Sequence, residues 1–396
     1  MGRDSFTEVT TQSWGSRLGQ SVKGVVFGGV LLIAAFPLQF WNEGRAVDRA
    51  KALEEGAAAV ISVASDTVEP AGEGKLVHMI GQATTQQVLA DTDFPISAKA
   101  IKLSRVVEMF QWKEDAHSQT REKLGGGTET LTTYTYAKTW SPKVIDASTF
   151  RQPEGHDNPS SMAYAGKDYQ ATEVGLGAFR LNQSLIGRLN RFEPLSVSVE
   201  NNKVPHFMAN KAVTLQGSTF YLGMDPSNPE IGDLRVSFQA VMPAMVSIVS
   251  QQRGNSFVPY MAKRGEVELL EYGETSAAAM FKGAQESNAM LTWILRGVGF
   301  LFMFVGLKTI LAPLRTLGAV VPVIGNIVGY GTGLIAFLLA LALSLITIAI
   351  AWIFYRPLLG VGLLVAGLAI PLSLKLLRPG GGAAAAGAAG NPPAAG

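Results

Sequence analysis

The chain has 396 residues, 47% of them hydrophobic and 16% charged, with a formal net charge of +2 and no cysteine. The missing thiols exclude a disulfide-stapled scaffold, cysteine zinc sites and thiol catalysis. A charge this close to zero gives no electrostatic case for nucleic acid.

Residues 1–23 read as a short cytoplasmic N-terminal tail carrying Arg3, Arg17 and Lys23. Gly24–Asn42 follows, uncharged between Lys23 and Glu43 and long enough to cross a bilayer core as a helix. A cleaved signal peptide is the alternative. The run is long for that role, and Pro37-Leu38-Gln39-Phe40-Trp41 stands where a small-x-small cleavage pattern belongs. An uncleaved anchor is expected.

Residues 43–288 have ordinary soluble composition, with 24 Lys+Arg against 29 Asp+Glu. Glu43–Ala59 is rich in helix formers and continues the first span out of the membrane, with Arg45 and Arg49 near the headgroups. Strands are predicted at 75–82, 105–114, 128–140, 213–222 and 265–270. Leu234, Val236, Phe238, Ala240 and Met242 alternate with polar residues, a period of two. Gly125-Gly126-Gly127 lacks the Lys-Ser/Thr of a phosphate loop and is read as a hairpin turn. Asn182 caps a helix with Leu185, Ile186 and Leu189 on one face.

Beyond Ala289 there are six basic residues and no acid. A second span is predicted at 291–311, with Arg296 and Lys308 near its ends, where their stems can snorkel to the interface. Residues 312–330 form a cytoplasmic or interfacial loop. A third span covers 331–355 and a fourth 358–376, joined at Tyr355-Arg356-Pro357. Trp41, Trp293, Trp352 and Tyr355 fall at span ends as an aromatic belt. Residues 379–396 contain only Gly, Ala, Pro and one Asn and read as a disordered tail.

The expected fold is therefore an integral membrane protein with four transmembrane helices, one N-terminal and three C-terminal. Between the first and second lies a large α+β, antiparallel-strand-rich extracytoplasmic domain. Lys and Arg counts weakly favour both termini on the cytoplasmic side.

Small residues recur at helix-contact spacing: Gly24 and Gly28 in the first span, then Gly325, Gly329 and Gly333 leading into the third. They suit packing within the bundle or between copies equally well. Ser344 and Thr347, one turn apart, are placed to hydrogen-bond across such a contact. The four histidines, His78, His117, His156 and His206, lack metal-ligand spacing. His156-Asp157 is the densest polar pair, but neighbours on a loop rarely face each other and Asn158-Pro159 is a turn signal. No catalytic, cofactor-binding or metal site is expected.

Several stretches, in order over residues 14 to 378, resemble the transmembrane protein 43 (LUMA) family. Phe40-Trp41-Asn42-Glu43-Gly44-Arg45-Ala46-Val47 leaves the first span; Val107-Glu108-Met109-Phe110-Gln111-Trp112, Gly155-His156-Asp157-Asn158-Pro159-Ser160 and Gly232-Asp233-Leu234-Arg235-Val236-Ser237-Phe238 lie in the domain. Trp352-Ile353-Phe354-Tyr355-Arg356-Pro357-Leu358 separates the last two spans. The resemblance implies one span, a large lumenal or periplasmic domain and three clustered spans, with no catalytic residues. It implies self-association and binding of other membrane proteins, in the endoplasmic reticulum and inner nuclear membrane of animals. The Gly/Ala-rich tail departs from the more basic end of animal members, and the absence of cysteine suits a bacterial member, which would reside in the inner membrane.

The leading expectation is a non-enzymatic scaffold that contacts the lipid bilayer, itself and other membrane proteins, without cofactor. The alternative is a membrane-anchored enzyme acting on lipid or envelope substrates, with Glu108, His117, His156 or Asp157 in its site. A channel subunit, the third reading, is disfavoured by the lack of polar residues along the spans.

Overall fold

The computed structural model describes residues 4–196, 205, 207–320 and 322–358. Three helices in it are long and apolar enough to cross a membrane: Trp14–Ala59, Ala277–Gly318 and Ile327–Tyr355. The expected fourth span at 358–376, the tail at 379–396 and His206 lie outside the described residues, apart from Leu358.

Helix α1 (Trp14–Ala59) opens on Ser13, whose hydroxyl accepts from the Ser16 amide. Its 46 residues extend about 69 Å at 1.5 Å per residue, covering both the first apolar run and the helix expected to emerge from it. Helices α3 (Ala277–Ile310) and α5 (Pro322–Tyr355) pack beside it, and the short α4 (Ala312–Gly318) joins these two.

Ser5–Gln12 is not a separate segment but strand β1 of the larger sheet, in register from Ser5 opposite Thr135 to Gln12 opposite Thr128. In chain order the other principal strands are β2 (Leu76–Thr84), β3 (Lys102–Glu122), β4 (Thr128–Ser141), β5 (Lys211–Gln216), β6 (Thr219–Leu222), β7 (Leu234–Val241) and β8 (Ala244–Arg253). The span expected as one strand at 213–222 is thus two, turning at Gly217, whose φ of +58° favours glycine.

The larger sheet runs β1–β4–β3–β7–β6–β5, every neighbour antiparallel. The period-two face of β7 (Leu234, Val236, Phe238, Ala240) meets Leu103, Val107 and Met109 of β3 and Phe220 and Leu222 of β6 in one core. The second sheet centres on β2 and β8. One face holds Val77, Met79, Val246 and Ile248 against Leu185 and Ile186 of α2 (Gln183–Arg188), capped by Asn182 as expected. Its other face packs Leu76 and Val249 on Ala52 and Leu53 of α1 and on Met280 and Phe281 of α3. Burial on both faces explains why Leu76 to Met79 are all buried.

Strands β3 and β4 outrun the sheet. From Met109 to Glu122, at about 3.3 Å per residue, β3 extends roughly 43 Å as a ribbon with β4 and β1. The turn at Gly125 and Gly126 (φ +87° and +79°) then reaches the far end of the bundle. There the Gly125 amide donates to the Val320 carbonyl (3.1 Å), the Trp14 indole to the Thr316 carbonyl (2.8 Å), and Glu122 pairs with Arg17 (3.0 Å) and Arg315 (3.4 Å). From Trp14 to Arg45 the helix covers about 46 Å, so ribbon and bundle match in length. Charge counting put residues 1–23 and 43–288 on opposite sides of a bilayer. As folded here they share one sheet.

Candidate functional site

The resembling motifs gather at two places. The first is a polar layer where the apolar part of α1 gives way to its water-side part. Glu43, fully buried, takes a two-pronged ion pair from Arg296 of α3, Nε to Oε1 at 2.6 Å and a terminal guanidinium nitrogen to Oε2 at 2.8 Å. The Trp352 indole of α5 donates to the same Oε2 at 2.7 Å. The Arg296 guanidinium also lies 4.6 Å from the Trp293 ring centroid and 5.7 Å from that of Trp352. One carboxylate thus ties three helices together, with the paired geometry a guanidinium suits.

Around it, side-chain amides and hydroxyls bind across the helix contacts. Asn42 donates to the Thr292 carbonyl (3.1 Å), and Asn288 to the Ala46 carbonyl (2.9 Å). Arg45 donates to Asn42, Asn288 and Thr292. The Gln39 amide and the Ser344 hydroxyl are hydrogen-bonded at 2.9 Å. Gly44 has no room for a side chain, since a Cβ would come within 2.6 Å of the Tyr355 ring.

Two expectations change here. Arg296 does not snorkel outward but turns into the bundle, because Glu43 sits there to receive it. Trp352 and Tyr355 likewise face the junction, while Trp41 and Trp293 stay exposed at 56% and 69%.

The second cluster lies at the root of the ribbon. Asn158 clamps it by accepting from the Trp112 amide (2.7 Å) and donating to the Trp112 (2.9 Å) and Ile145 (3.1 Å) carbonyls. His156 is buried, stacked on Tyr136 at 4.0 Å and edge-on to Trp112 at 4.8 Å. Its ring nitrogens meet the Gln152 carbonyl and the Asp4 carboxylate. Pro159 packs on Gly232, and Gly232 donates to the Phe110 carbonyl. Asp233 accepts from Lys211, Tyr221 and the Glu230 amide. Burial pushes the Asp233 carboxyl up, but these donors outweigh it and hold it below the usual carboxylate range. Arg235 pairs with Glu108 at 2.5 Å and lies over Trp140. Burial, followed by donation to Glu114, pushes the Tyr136 hydroxyl up to about 12.

The residues weighed for catalysis do not converge. Glu108 is engaged by Arg235, His156 by its four neighbours, Asp157 is exposed beside it, and His117 stands out on the ribbon opposite Thr133. Among the described residues no three His, Asp or Glu side chains group as metal ligands.

The small residues divide. A Cβ on Gly28 would come within 2.6 Å of the Gly306 carbonyl oxygen, and one on Gly24 within 3.2 Å of Thr309, so both serve α1 against α3. Gly329 faces Arg315, Gly333 faces open space, and Gly325 belongs to the first turns of α5. Thr347 donates back to the Leu343 carbonyl of its own helix. Arg356 follows the last turn of α5, its amide donating to the Trp352 carbonyl (2.8 Å), and Pro357 comes next.

Sequence reasoning missed Gln39, Asn288, Thr292 and Arg296 as one constellation. The signal was present: Asn288, Thr292 and Arg296 recur every four residues, one helical face. Asp4 carried no signal.

No solved structure matches this chain. A model of the family described as Transmembrane protein 43 matches residues 109–357. Human Transmembrane protein 43 is 37% identical over 366 residues, 89% of this chain and 89% of the relative. The rat protein of that name is 37% identical over 354 residues (86% and 87%), and the Drosophila melanogaster Transmembrane protein 43 homolog 33% over 354 (86% and 91%). Matches over most of the chain place this membrane protein in the transmembrane protein 43 family.

Proposed function

We propose that the protein is a non-enzymatic membrane scaffold whose copies associate and organise lipids or other membrane proteins around them. The observation that carries this reading is the stiffness of the link between bundle and domain. Helices α1 and α3 run unbroken from their apolar segments into the core under the second sheet, and Glu43–Arg296 locks them where they leave the apolar zone. A flexible tether would suit an enzyme searching for substrate; a stiff double one holds a surface in fixed orientation. Gly24 and Gly28 are used up inside the chain, so copies meet elsewhere. The outward side of α5, with Leu334, Leu338 and Leu341 exposed, is available.

The test is mass measurement of the full chain in lipid nanodiscs at membrane-like density. Oligomers that dissociate on Leu334→Ala/Leu338→Ala/Leu341→Ala are expected. A strict monomer overturns the reading.

A further inference from the structure

Just beyond the polar layer, between α1, α3 and the strand residues Leu269 to Glu271, lies a cavity of about 470 Å³. This is within the range that holds a small ligand. Arg45, Arg49 and Arg188 line it, and Glu271 is the one carboxylate among the described residues around it. Among the described residues Arg45 and Arg49 have no ion-pair partner, and Arg188 has only a long one. Arg49 donates to a backbone carbonyl, that of Glu266 (2.6 Å). Arg188 stands 3.8 Å from Glu268, whose oxygens already accept from Asn182, Ser184 and Ser250. The Arg45 Nε is buried with no hydrogen-bond partner. An unpartnered buried donor and converging like charges are costly unless an anion joins them.

We propose that this cavity binds a phosphate-bearing anion, supplied by the headgroup of an anionic lipid. Guanidiniums grip phosphate through paired donors, and basic pockets at the edge of a bundle take anionic headgroups. The lipid source follows from position: Leu291 lines the cavity, and next to it on α3 Met290 and Trp293 are exposed at 66% and 69%, so an acyl chain has an apolar path away from the arginines. The inference stands whether or not copies self-associate.

The full chain in phosphatidylcholine nanodiscs is titrated in parallel with dihexanoyl phosphatidic acid and with inorganic phosphate. Arg49→Gln/Arg188→Gln is compared with Lys282→Gln, an exposed site on α3 outside the cavity. Arg45 is left intact because it serves the helix junction. The phosphatidic acid is expected to bind at least tenfold more weakly to the double variant and equally to the control, since each charge-assisted hydrogen bond is worth about a tenfold factor or more. Arg49→Lys, which keeps charge but loses the fork, falls between, and serves if the double variant does not fold. Inorganic phosphate competing at equal affinity keeps the site and assigns it to a soluble anion. Equal binding by wild type and Arg49→Lys or the double variant, or no binding at all, overturns the proposal.

Discussion

Glu43 and Arg296 meet through both carboxylate oxygens although they belong to helices far apart in sequence, 253 positions from each other. Removing one partner strands the other in a largely buried setting. Glu43→Ala is expected to cost about 3–5 kcal/mol, whereas replacing the pair together by Leu is expected to cost far less. Thermal unfolding in mild detergent reads the difference; equal losses for single and double variants would show that packing, not the ion pair, matters here.

Gly28 and Gly333 form an internal comparison. Gly28→Ala pushes a methyl group into the backbone of α3 and is expected to destabilise by about 1–3 kcal/mol. Gly333→Ala meets nothing within 4 Å and gains roughly 1 kcal/mol of helix propensity. Opposite shifts of melting temperature are the expected result.

Asn158 satisfies three backbone groups with one side chain. Asn158→Asp turns its donor into an oxygen facing the Trp112 and Ile145 carbonyls, and a loss of about 2 kcal/mol or more is expected. Denaturant titration followed by tryptophan fluorescence suits the measurement, because Trp112 reports on the site directly.

Asp233 sets an acid limit. Its folded pKa lies below the ordinary value of about 3.9, so the stability it contributes is present above that value and lost as pH falls through the folded one. Asp233→Asn should reduce stability near neutrality and flatten the acid limb. Unfolding curves between about pH 2 and 6 would expose an unchanged limb if the donors around Asp233 were ineffective.

Strand β1 predicts a cross-link. Thr7 and Thr133 are register partners with hydroxyls 3.4 Å apart, and the chain has no cysteine of its own. Thr7→Cys/Thr133→Cys is expected to form a disulfide on mild oxidation in native membranes. Labelling of the two single variants from opposite faces of the vesicle, with no cross-link, would show that strand pairing gives way to the charge-derived layout.

The apolar helices were legible because uncharged runs of this length have few alternatives to hydrocarbon or a deep core. Strand β7 was legible because one of its faces is buried and the other is not. The junction was harder. Arg296 near a span end has the same sequence signature whether its stem reaches for water or for a carboxylate, and only the placement of Glu43 decides. Gly24 and Gly28 likewise announce close approach without naming the partner. Strand β1 was invisible for a plainer reason: Ser5–Gln12 is exposed along nearly all its length, so it has no buried face to impress a period on its sequence.

That strand also sets an order of events. Its partner among the described residues, β4, is made much later: Thr7 waits for Thr133, 126 positions downstream. By then the apolar part of α1 has left the ribosome and met whatever inserts it. The ribbon can therefore close only on a helix whose placement is already decided.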